Sequence, residues 1–497
     1  MWYLCGAMKS KITIIGSGFS SLSAAAYLAQ KKFEVHVFEK NNTLGGRARQ
    51  LKKEGFTFDM GPSWYWMPDV FESFFNDFGK TTADFYRLDR LNPGYQVVFG
   101  ENDSISIGDS LEKIYQVFEK EEKESSIKLR RFIASANENY DIAIKDLVYR
   151  PGISPLELVT PVTLKKISYF ISNIKKDVYK DFKSPRLRQI LQFPVLFLGA
   201  KPSNTPSFYN FMNFADFGLG TWHPEKGMYS IVKAMVALAE SLGVHFHTDS
   251  RVEKILVNES GKANGIQVNG EKISSDIILS GADYHHSESL LDSKYKVYSD
   301  SYWEKKVFAP SSLLFYIGLN KKIQNVAHHT LFFDVDFDEH ARVIYDHPEW
   351  PKNPLFYANF PSLSDPSMAP KGKEACFILI PIAPGIEDTS KLREKYLNIV
   401  LDRLEKLTQQ SVKNEILFCE SFCVKDFIKD YNSYKGNAYG LANTLLQTAF
   451  LRPKLISKKV KDLYFTGQLT VPGPGVPPAL ISGKLVADLI EKANPLD

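Results

Sequence analysis

Cysteine is scarce in this chain, and its positions argue against several kinds of site. The 497 residues contain four cysteines, Cys5, Cys376, Cys419 and Cys423. There is no C-x-x-C pair, and no second pair accompanies Cys419 and Cys423 to complete a zinc site. We therefore expect neither a disulfide framework nor a metal centre, and a reducing compartment is the default expectation.

Long apolar runs and a strong charge imbalance are also missing. No stretch of about eighteen apolar residues occurs, so we expect no helix that spans a bilayer. Residues 1–7 are too short for the apolar part of a signal peptide. The chain has 61 Lys and Arg residues against 57 Asp and Glu residues, and this net charge of +4 does not indicate nucleic-acid binding. We expect a cytoplasmic protein with more than one domain.

The strongest pattern lies near the start and consists of a strand, a glycine turn, a helix and a second strand. The β-branched run 11–15 ends in Gly16-Ser17-Gly18, a helix of small residues follows, and the run 34–39 ends at Glu39. Gly16 permits a tight turn, and Gly18 lets a pyrophosphate approach the backbone at the helix N-terminus. Glu39 is placed to accept hydrogen bonds from a ribose. This unit predicts a dinucleotide site.

Further glycine-rich segments narrow the choice of dinucleotide. Gly45-Gly46-Arg47 and Gly61-Pro62-Ser63 follow the βαβ unit, where a nicotinamide enzyme needs no second glycine pair. Residues 273–281 read as a strand that returns to the nucleotide-binding sheet. Near the end, the strand-like run 463–466 precedes Gly467-Gln468, a rigid loop over 472–478 and a helix over 479–490. That helix N-terminus predicts a second anion site.

Together these segments resemble the bacterial-type phytoene desaturases, which are carotenoid desaturases among the FAD-dependent oxidoreductases. The resemblance extends from residue 11 to 490 and also includes Asp59-Met60, Gly227-Met228, Ala282-Asp283 and the loop 472–477. It implies an α/β fold with a Rossmann-like FAD-binding domain of the amine oxidase and carotenoid desaturase type, a mixed-sheet substrate domain and a helical membrane-contacting segment. The implied division is 9–100, 225–300 and 451–497 for the FAD-binding domain, 101–224 for the helical substrate-access segment, and 301–450 for the substrate domain.

The resemblance also implies a reaction and its cofactor. Non-covalent FAD would accept a hydride from an acyclic polyene such as phytoene, and the electrons would pass to a quinone or to oxygen. No cysteine follows Cys423 that could form a thioether with the flavin. The residues expected at FAD are Gly16, Ser17, Gly18, Ser20, Ser21, Glu39, Lys40, Gly45, Gly46, Arg47, Gly61, Pro62, Ser63, Val252, Gly467, Gln468, Gly475 and Val476.

Three departures from the family pattern affect the predicted site. Ser21 stands where the family usually has a glycine, and Gln468 stands where related oxidases often carry an acid. An Arg-x-Asp-x-x-Arg cluster, suggested as catalytic in some members, has no clear match, although Arg150 and Glu157 lie in that region. We therefore assign no catalytic residue, and Glu157 remains a candidate acid.

The stretch 164–188 is unusually basic. Apolar residues recur there at steps of three and four, which predicts one amphipathic helix. Eight basic residues stand against two acidic ones, a local charge of +6, and Tyr169, Phe170 and Tyr179 lie between them. This composition favours a helix on an anionic membrane surface, so we expect a peripherally membrane-associated protein. The alternative is a helix that faces the core and has a solvated basic back.

Two other patterns bear on the site. Trp64, Tyr65 and Trp66 are adjacent and cannot all face one core, so we expect some of them to line a cavity near the flavin. The pairs His285-His286 and His328-His329 have no third ligand at a metal-binding spacing, so we interpret them as structural or solvent-facing.

Other functions remain open from the sequence. A redox-neutral carotene isomerase could use the same fold, and an amine oxidase is a weaker alternative. A non-enzymatic prenyl-lipid carrier of the Rab-escort type would have lost FAD, and the intact Gly45-Gly46-Arg47 and C-terminal loop argue against it.

Overall fold

The computed structural model describes residues 10–495, apart from the side chains of residues 158, 162, 197 and 198. The segment 1–7, interpreted above as too short for a signal, lies outside the described residues. The strands are β1 (Lys11–Ile15), β2 (Glu34–Phe38), β3 (Gln50–Lys53), β4 (Phe56–Asp59), β5 (Leu88–Arg90), β6 (Tyr95–Gly100), β7 (Asp103–Ile107), β8 (Trp222–Pro224), β9 (His245–His247), β10 (Val252–Val257), β11 (Ala263–Val268), β12 (Glu271–Ser274), β13 (Ile277–Ser280), β14 (Ser311–Leu319), β15 (His329–Phe332), β16 (Phe356–Asn359), β17 (Glu374–Ile382), β18 (Ile416–Phe422) and β19 (Leu463–Phe465).

Helices follow the strands in the nucleotide-binding part and dominate the segment between β7 and β8. They are α1 (Phe19–Gln30), α2 (Pro68–Asn76), α3 (Leu111–Glu121), α4 (Ser125–Lys145), α5 (Pro161–Lys165), α6 (Ile167–Ile171), α7 (Ile174–Asp181), α8 (Pro185–Gln192), α9 (Phe211–Phe217), α10 (Tyr229–Ser241), α11 (Tyr284–Ser289), α12 (Asp300–Glu304), α13 (Phe337–Tyr345), α14 (Ser390–Thr408), α15 (Val424–Tyr431) and α16 (Val476–Ala493).

The nucleotide-binding sheet is built from three distant parts of the chain. Its five strands are parallel and lie in the order β19-β13-β1-β2-β9. Helix α1 contacts both α10 and α16, and β11 of the small sheet β10-β11-β12 contacts β13. Both faces are therefore covered, which explains why β1 and β13 are almost wholly buried and apolar.

The predicted return to this sheet is confirmed, with one change. Residues 273–281 form the end of one strand and all of another. Strand β12 pairs antiparallel with β11, whereas β13 pairs parallel with β1. The break lies at Asp276, whose carboxylate accepts a hydrogen bond from the Lys11 backbone at 2.8 Å.

A second, seven-stranded sheet lies in the order β18-β14-β17-β16-β15-β6-β7. It is a mixed sheet, as expected. Strand β15 pairs parallel with β6, and all other neighbouring strands of this sheet pair antiparallel. The predicted boundary at residue 100 falls between the paired strands β6 and β7. The hairpin joins the substrate-side sheet through Val97 and Val98, which pair with Leu331 and Phe332.

The single amphipathic helix predicted over 164–188 is wrong. The chain forms four short helices there, α5 to α8, because Asn173 and Ser184 each cap a new helix with a side-chain oxygen. The apolar positions consequently divide into two groups. Those of α7 and the residue after it are buried (Ile174, Val178, Phe182), whereas Leu164, Ile167 and Ile171 are 57%, 55% and 79% exposed.

One carboxylate joins two of the motifs on which the resemblance rests. Asp59 accepts hydrogen bonds from the backbone of Met228 at 2.7 Å and of Tyr229 at 3.3 Å, at the start of α10. A Cβ at Gly227 would lie 2.5 Å from the same carboxylate, so only glycine fits there. Burial raises the pKa of Asp59 to about 6.

Helices α1 and α16 approach closely enough for their backbones to touch. A Cβ at Gly483 would lie 2.5 Å from the carbonyl oxygen of Ser20 and 2.6 Å from Cβ of Ser23. This contact fixes the position of the first helix of the nucleotide site.

We predict that Gly483→Ala lowers the free energy of unfolding by about 1–3 kcal/mol, because the helices must separate to admit the methyl group. Chemical denaturation of the apoprotein measures this change. Gly100→Ala is the matched control, since its Cβ would meet no atom closer than 3.8 Å. Equal stability of the two variants would contradict close packing of α1 on α16.

Candidate functional site

A cavity of about 590 Å³ runs from the nucleotide-binding sheet to the seven-stranded sheet. We call the part formed by the turn after β1, residues 39–47, residues 250–252 and residues 467–476 the cofactor half. The substrate half is formed mainly by apolar residues of α13 and of the seven-stranded sheet. The carboxyl ends of β1, β13 and β19 meet at the cofactor half, which is where open parallel sheets bind ligands.

Seventeen of the eighteen residues predicted at FAD line this cavity, and Ser21 is the exception. Ser21 lies instead against Gly281, whose Cβ would be only 1.9 Å from the Ser21 hydroxyl oxygen. The Ser21 side chain therefore occupies space that is free because residue 281, just after β13, is a glycine. The departure at Ser21 therefore leaves the shape of the turn intact.

The two glycine segments form a cradle of backbone. A Cβ at Gly18 would meet no atom within 4 Å, so that position faces open cavity. A Cβ at Gly46 would lie 3.2 Å from Cα of Gly18, and the Gly45 backbone donates to the Ser17 carbonyl at 3.0 Å. Such a surface suits a pyrophosphate, which needs N–H groups without side chains in front of them.

Glu39 is held rigidly at the end of β2. Its Oε2 accepts hydrogen bonds from the Ser17 backbone at 3.0 Å and the Ser17 hydroxyl at 2.7 Å. Its Oε1 accepts from the backbone and side-chain nitrogens of Asn41, both at 2.9 Å. The carboxylate is 5% exposed and fixed in one orientation, as a ribose-binding acid requires.

Arg47 is half-buried at the cofactor half and incompletely paired. Its Nη2 donates to Ser433 Oγ at 3.1 Å and to the Asn437 carbonyl at 3.3 Å, whereas Nε has no partner. Burial lowers the pKa of Arg47, and the nearby Asp283 acts in the opposite direction. A guanidinium with a buried, unpaired Nε–H donor is a suitable place for a bound anion.

Sequence reasoning missed several residues of the cofactor half. Arg251 precedes β10, and Asp283 lies three residues after the end of β13, in the pair Ala282-Asp283 that contributed to the resemblance. Asp430 and Asn432, at the end of α15, also line the cavity. Lys40 donates to Asn432 Oδ1 at 3.2 Å. No local pattern identifies these last two residues, because nearly 400 residues separate them from Lys40.

The aromatic run after Gly61-Pro62 divides as expected. Trp64 and Trp66 line the cavity, whereas Tyr65 is buried on the other side, stacked on Phe71 with ring centroids 4.3 Å apart. The aromatic rings and aliphatic side chains around Trp64 make the substrate half strongly apolar. Such a wall suits a long hydrocarbon.

Of the two histidine pairs, His328 and His329 have a structural role. His328 and His329 are buried, and burial holds the pKa of each well below its usual range. The ring of His329 stacks on Trp64 with centroids 4.0 Å apart, and its Nδ1 lies 2.6 Å from the Tyr357 hydroxyl. Within residues 10–495, no group of three His, Cys, Asp or Glu side chains is arranged to hold a metal ion.

The candidate acid Glu157 is occupied by its own loop. Its carboxylate accepts hydrogen bonds from the backbones of Gly152 and Ile153 at 2.8 Å and of Ser154 at 3.0 Å. Arg150 forms an ion pair with Asp146 at 2.5 Å. These contacts give both residues a structural role at the edge of the cavity.

Comparison with known proteins agrees with this geometry. The family model of flavin containing amine oxidoreductases matches residues 19–491. The chain is 40% identical over 487 residues to a carotenoid 3,4-desaturase of Haloarcula japonica, covering 96% of this chain and 97% of the relative. The chain belongs to the flavin-containing amine oxidoreductase family.

A second relative is similar over nearly the whole chain, and a solved structure shares the fold. A zeta-carotene-forming phytoene desaturase of Myxococcus xanthus is 31% identical, with coverage of 96% of this chain and 93% of that protein. The fold is shared with an oxidoreductase from Methanosarcina mazei at a TM-score of 0.64 and 17% identity, with 97% of this chain and 100% of that chain covered. The protein is thus an oxidoreductase with FAD as its cofactor.

The residues present fit FAD by three independent features. Gly18 faces open space, Arg47 carries an unpaired donor, and Glu39 is fixed where strand β2 ends. When bound, FAD supplies a two-electron acceptor for the reaction.

We predict that Gly18→Val produces a folded protein without FAD, because the branched side chain would project into the open cavity. Gly18 has φ −69° and ψ 173°, which valine adopts readily, so the fold should persist. Flavin absorbance per protein measures the loss, and circular dichroism checks the fold. Normal FAD content in this variant would exclude the cradle as the pyrophosphate site.

Proposed function

We propose that this protein desaturates an acyclic carotenoid in an FAD-dependent reaction. The observation that carries the proposal is the continuity of the cavity, in which an apolar half large enough to enclose part of a hydrocarbon chain opens directly into the cofactor half. An amine oxidase would need a polar or charged feature to recognise an amine. The carboxylates that line the described cavity are Glu39, Glu157, Asp283 and Asp430, and none projects from the seven-stranded sheet.

We further propose the residues that hold the cofactor. Gly16, Ser17, Gly18, Gly45, Gly46 and Arg47 would bind the pyrophosphate, and Glu39 the ribose of the adenosine, with Ser20, Lys40 and Val252 beside them. Gly61, Pro62, Ser63, Gly467, Gln468, Gly475 and Val476 would surround the remainder of FAD. The amide of Gln468 can supply the hydrogen bond that related oxidases make with an acid.

The side chains of the substrate half act chiefly by positioning. Trp64, Phe193 and Leu331 exclude water and hold an extended chain, whose conjugated double bonds delocalise charge developing beside them. A strong base is therefore unnecessary in this half. The neutral, buried His329 is consistent with such a wall.

The position of the new double bond has two candidates. Relatives at about equal coverage include a carotenoid 3,4-desaturase and a phytoene desaturase, and the first is the more similar at 40% against 31% identity. We therefore propose an acyclic carotenoid as the substrate class, with phytoene and a carotenoid saturated at its 3,4 bond as the substrates to compare.

We predict that oxidised enzyme, mixed anaerobically with either carotenoid in liposomes, bleaches its flavin as a red-shifted polyene spectrum appears. Added quinone or oxygen should restore the flavin and allow turnover. A product of unchanged hydrogen count formed without acceptor would identify an isomerase. If neither carotenoid bleaches the flavin and an amine does, the protein is an amine oxidase.

We also propose that the protein binds a membrane surface through the mouth of the cavity. Exposed aliphatic side chains are concentrated in two segments that meet where Gly152 lies against Ala449. We call these side chains the exposed apolar face: Ile153, Leu156, Val159, Leu164, Ile167, Ile171, Leu445, Leu446 and Leu451. Gly152, Ser154, Leu445 and Ala449 also line the cavity, so a dissolved polyene could pass from lipid into it. No helix within residues 10–495 has both the length and the apolar character to cross a bilayer.

The basic residues contribute less to this surface than their number indicates. Lys166 pairs with Glu138 and Lys175 with Asp338, both at 2.8 Å, and Arg186 pairs with Asp103 at 2.6 Å. These partners come from other elements and offset part of the local charge of +6. Apolar contact should therefore supply more of the binding than charge does.

We predict that Leu156→Asp, Ile171→Asp and Leu446→Asp together reduce binding to anionic liposomes at least tenfold in flotation. Each side chain is more than 75% exposed, and withdrawing one from lipid should cost about 1.5 kcal/mol or more. The control is Leu417→Asp with Ile428→Asp, two exposed residues outside this face. Unchanged flotation of the triple variant would show that another surface contacts the membrane.

A further inference from the structure

Arg452 is a buried cation that the proposed reaction leaves unexplained. It is 2% exposed and lies between the substrate domain and the last FAD-binding segment. Its guanidinium donates only to neutral oxygens: the carbonyl of Gln468 at 3.2 Å, the carbonyl of Leu441 at 3.0 Å and the side-chain oxygen of Asn443. Nε has no partner.

Charge compensation is missing around this group. The ionisable side chains that act on Arg452 are Tyr209 and Tyr302, and Lys306 adds a like charge nearby. Within the described chain, Arg452 forms no ion pair with a carboxylate. Burial lowers the pKa of Arg452 to about 10, so it remains charged at neutral pH. An unpaired buried charge is costly, and protein carbonyls offset only part of that cost.

The guanidinium lies directly behind the wall of the cofactor half. Two of its partners, Gln468 and Asn443, line the cavity, as does Tyr209. Gly473, in the loop that leads to α16, has φ +136°, and a Cβ there would lie 3.2 Å from Nη2 of Arg452. The loop thus turns closely around the guanidinium and then delivers the N-terminus of α16, which carries partial positive charge, to the same side of the cavity.

We propose that Arg452 stabilises the reduced, anionic form of the bound flavin and so raises its reduction potential. Two-electron reduction adds a hydride equivalent at flavin N5 and leaves N1 either protonated or anionic. A fixed positive charge within the apolar interior favours the anion, in which no second proton is taken from solvent. Only one proton then accompanies two electrons.

This inference concerns the FAD-loaded protein and is independent of the substrate. The test uses Arg452→Met, which removes the charge, and Arg452→Lys, which keeps it with fewer donors. Reduction is followed anaerobically against a redox dye of known potential. In Arg452→Met we expect the ratio of reduced to oxidised FAD at fixed dye potential to fall at least tenfold, which is about 30 mV for a two-electron couple. Arg452→Lys should stay within threefold of the native protein.

A purely structural role predicts a different result. An unchanged ratio in Arg452→Met, or equal shifts in the Met and Lys variants, would overturn the proposal. Wild-type protein provides a check that needs no variant, because its potential should fall by about 30 mV per pH unit between pH 6 and 8. A slope near 60 mV, which corresponds to two protons per two electrons, would also overturn it. If Arg452→Met loses its fold or its FAD, the proposal is tested by two other measurements. These are the pH dependence of the wild-type reduction potential and the ratio of reduced to oxidised FAD in Arg452→Gln.

Discussion

The cofactor end of this molecule depends on how closely separate pieces of backbone approach one another. Gly18 lies against Gly46, the Ser21 side chain occupies the space left by Gly281, and Ser20 touches α16 at Gly483. A methyl group at Gly46, Gly281 or Gly483 would hold two segments apart. The side chains of Glu39 and Arg47 belong to segments that these contacts hold in place, so their orientations would be lost as well.

The two halves of the cavity differ in electrostatics as well as in polarity. The cofactor half gathers fixed charges such as Glu39, Arg47 and Asp283, together with helix N-termini. The substrate half contains buried groups that burial keeps neutral, among them His329 and Tyr357. Charge can therefore be recognised at one end, while at the other end shape and aromatic contact select the ligand.

Local sequence patterns predicted the nucleotide-binding elements well because each has its own signal. The turn at Gly16–Gly18, the acid at Glu39 and the loop before α16 were all identified from neighbouring residues. The pattern over 164–188 misled because a period of 3.6 residues continues through caps at Asn173 and Ser184, while tertiary contacts bury only its second half. Asp430 and Asn432 were missed because the fold alone brings them to Lys40. Arg452 carried no motif that distinguishes it from a surface arginine, and only its burial and its partners reveal it.

The order of strands in the nucleotide-binding sheet has a consequence for protein synthesis. Strand β1 is synthesised more than 400 residues before β19, Arg452 and α16. The sheet gains its edge strand, and α1 its partner helix, only when this later segment emerges. Until then α1 exposes the apolar and small-residue surface that α16 later covers, and FAD finds an incomplete pocket. The nucleotide-binding sheet and its helix layer therefore stay incomplete while the intervening residues are synthesised, which leaves apolar surface exposed for that interval.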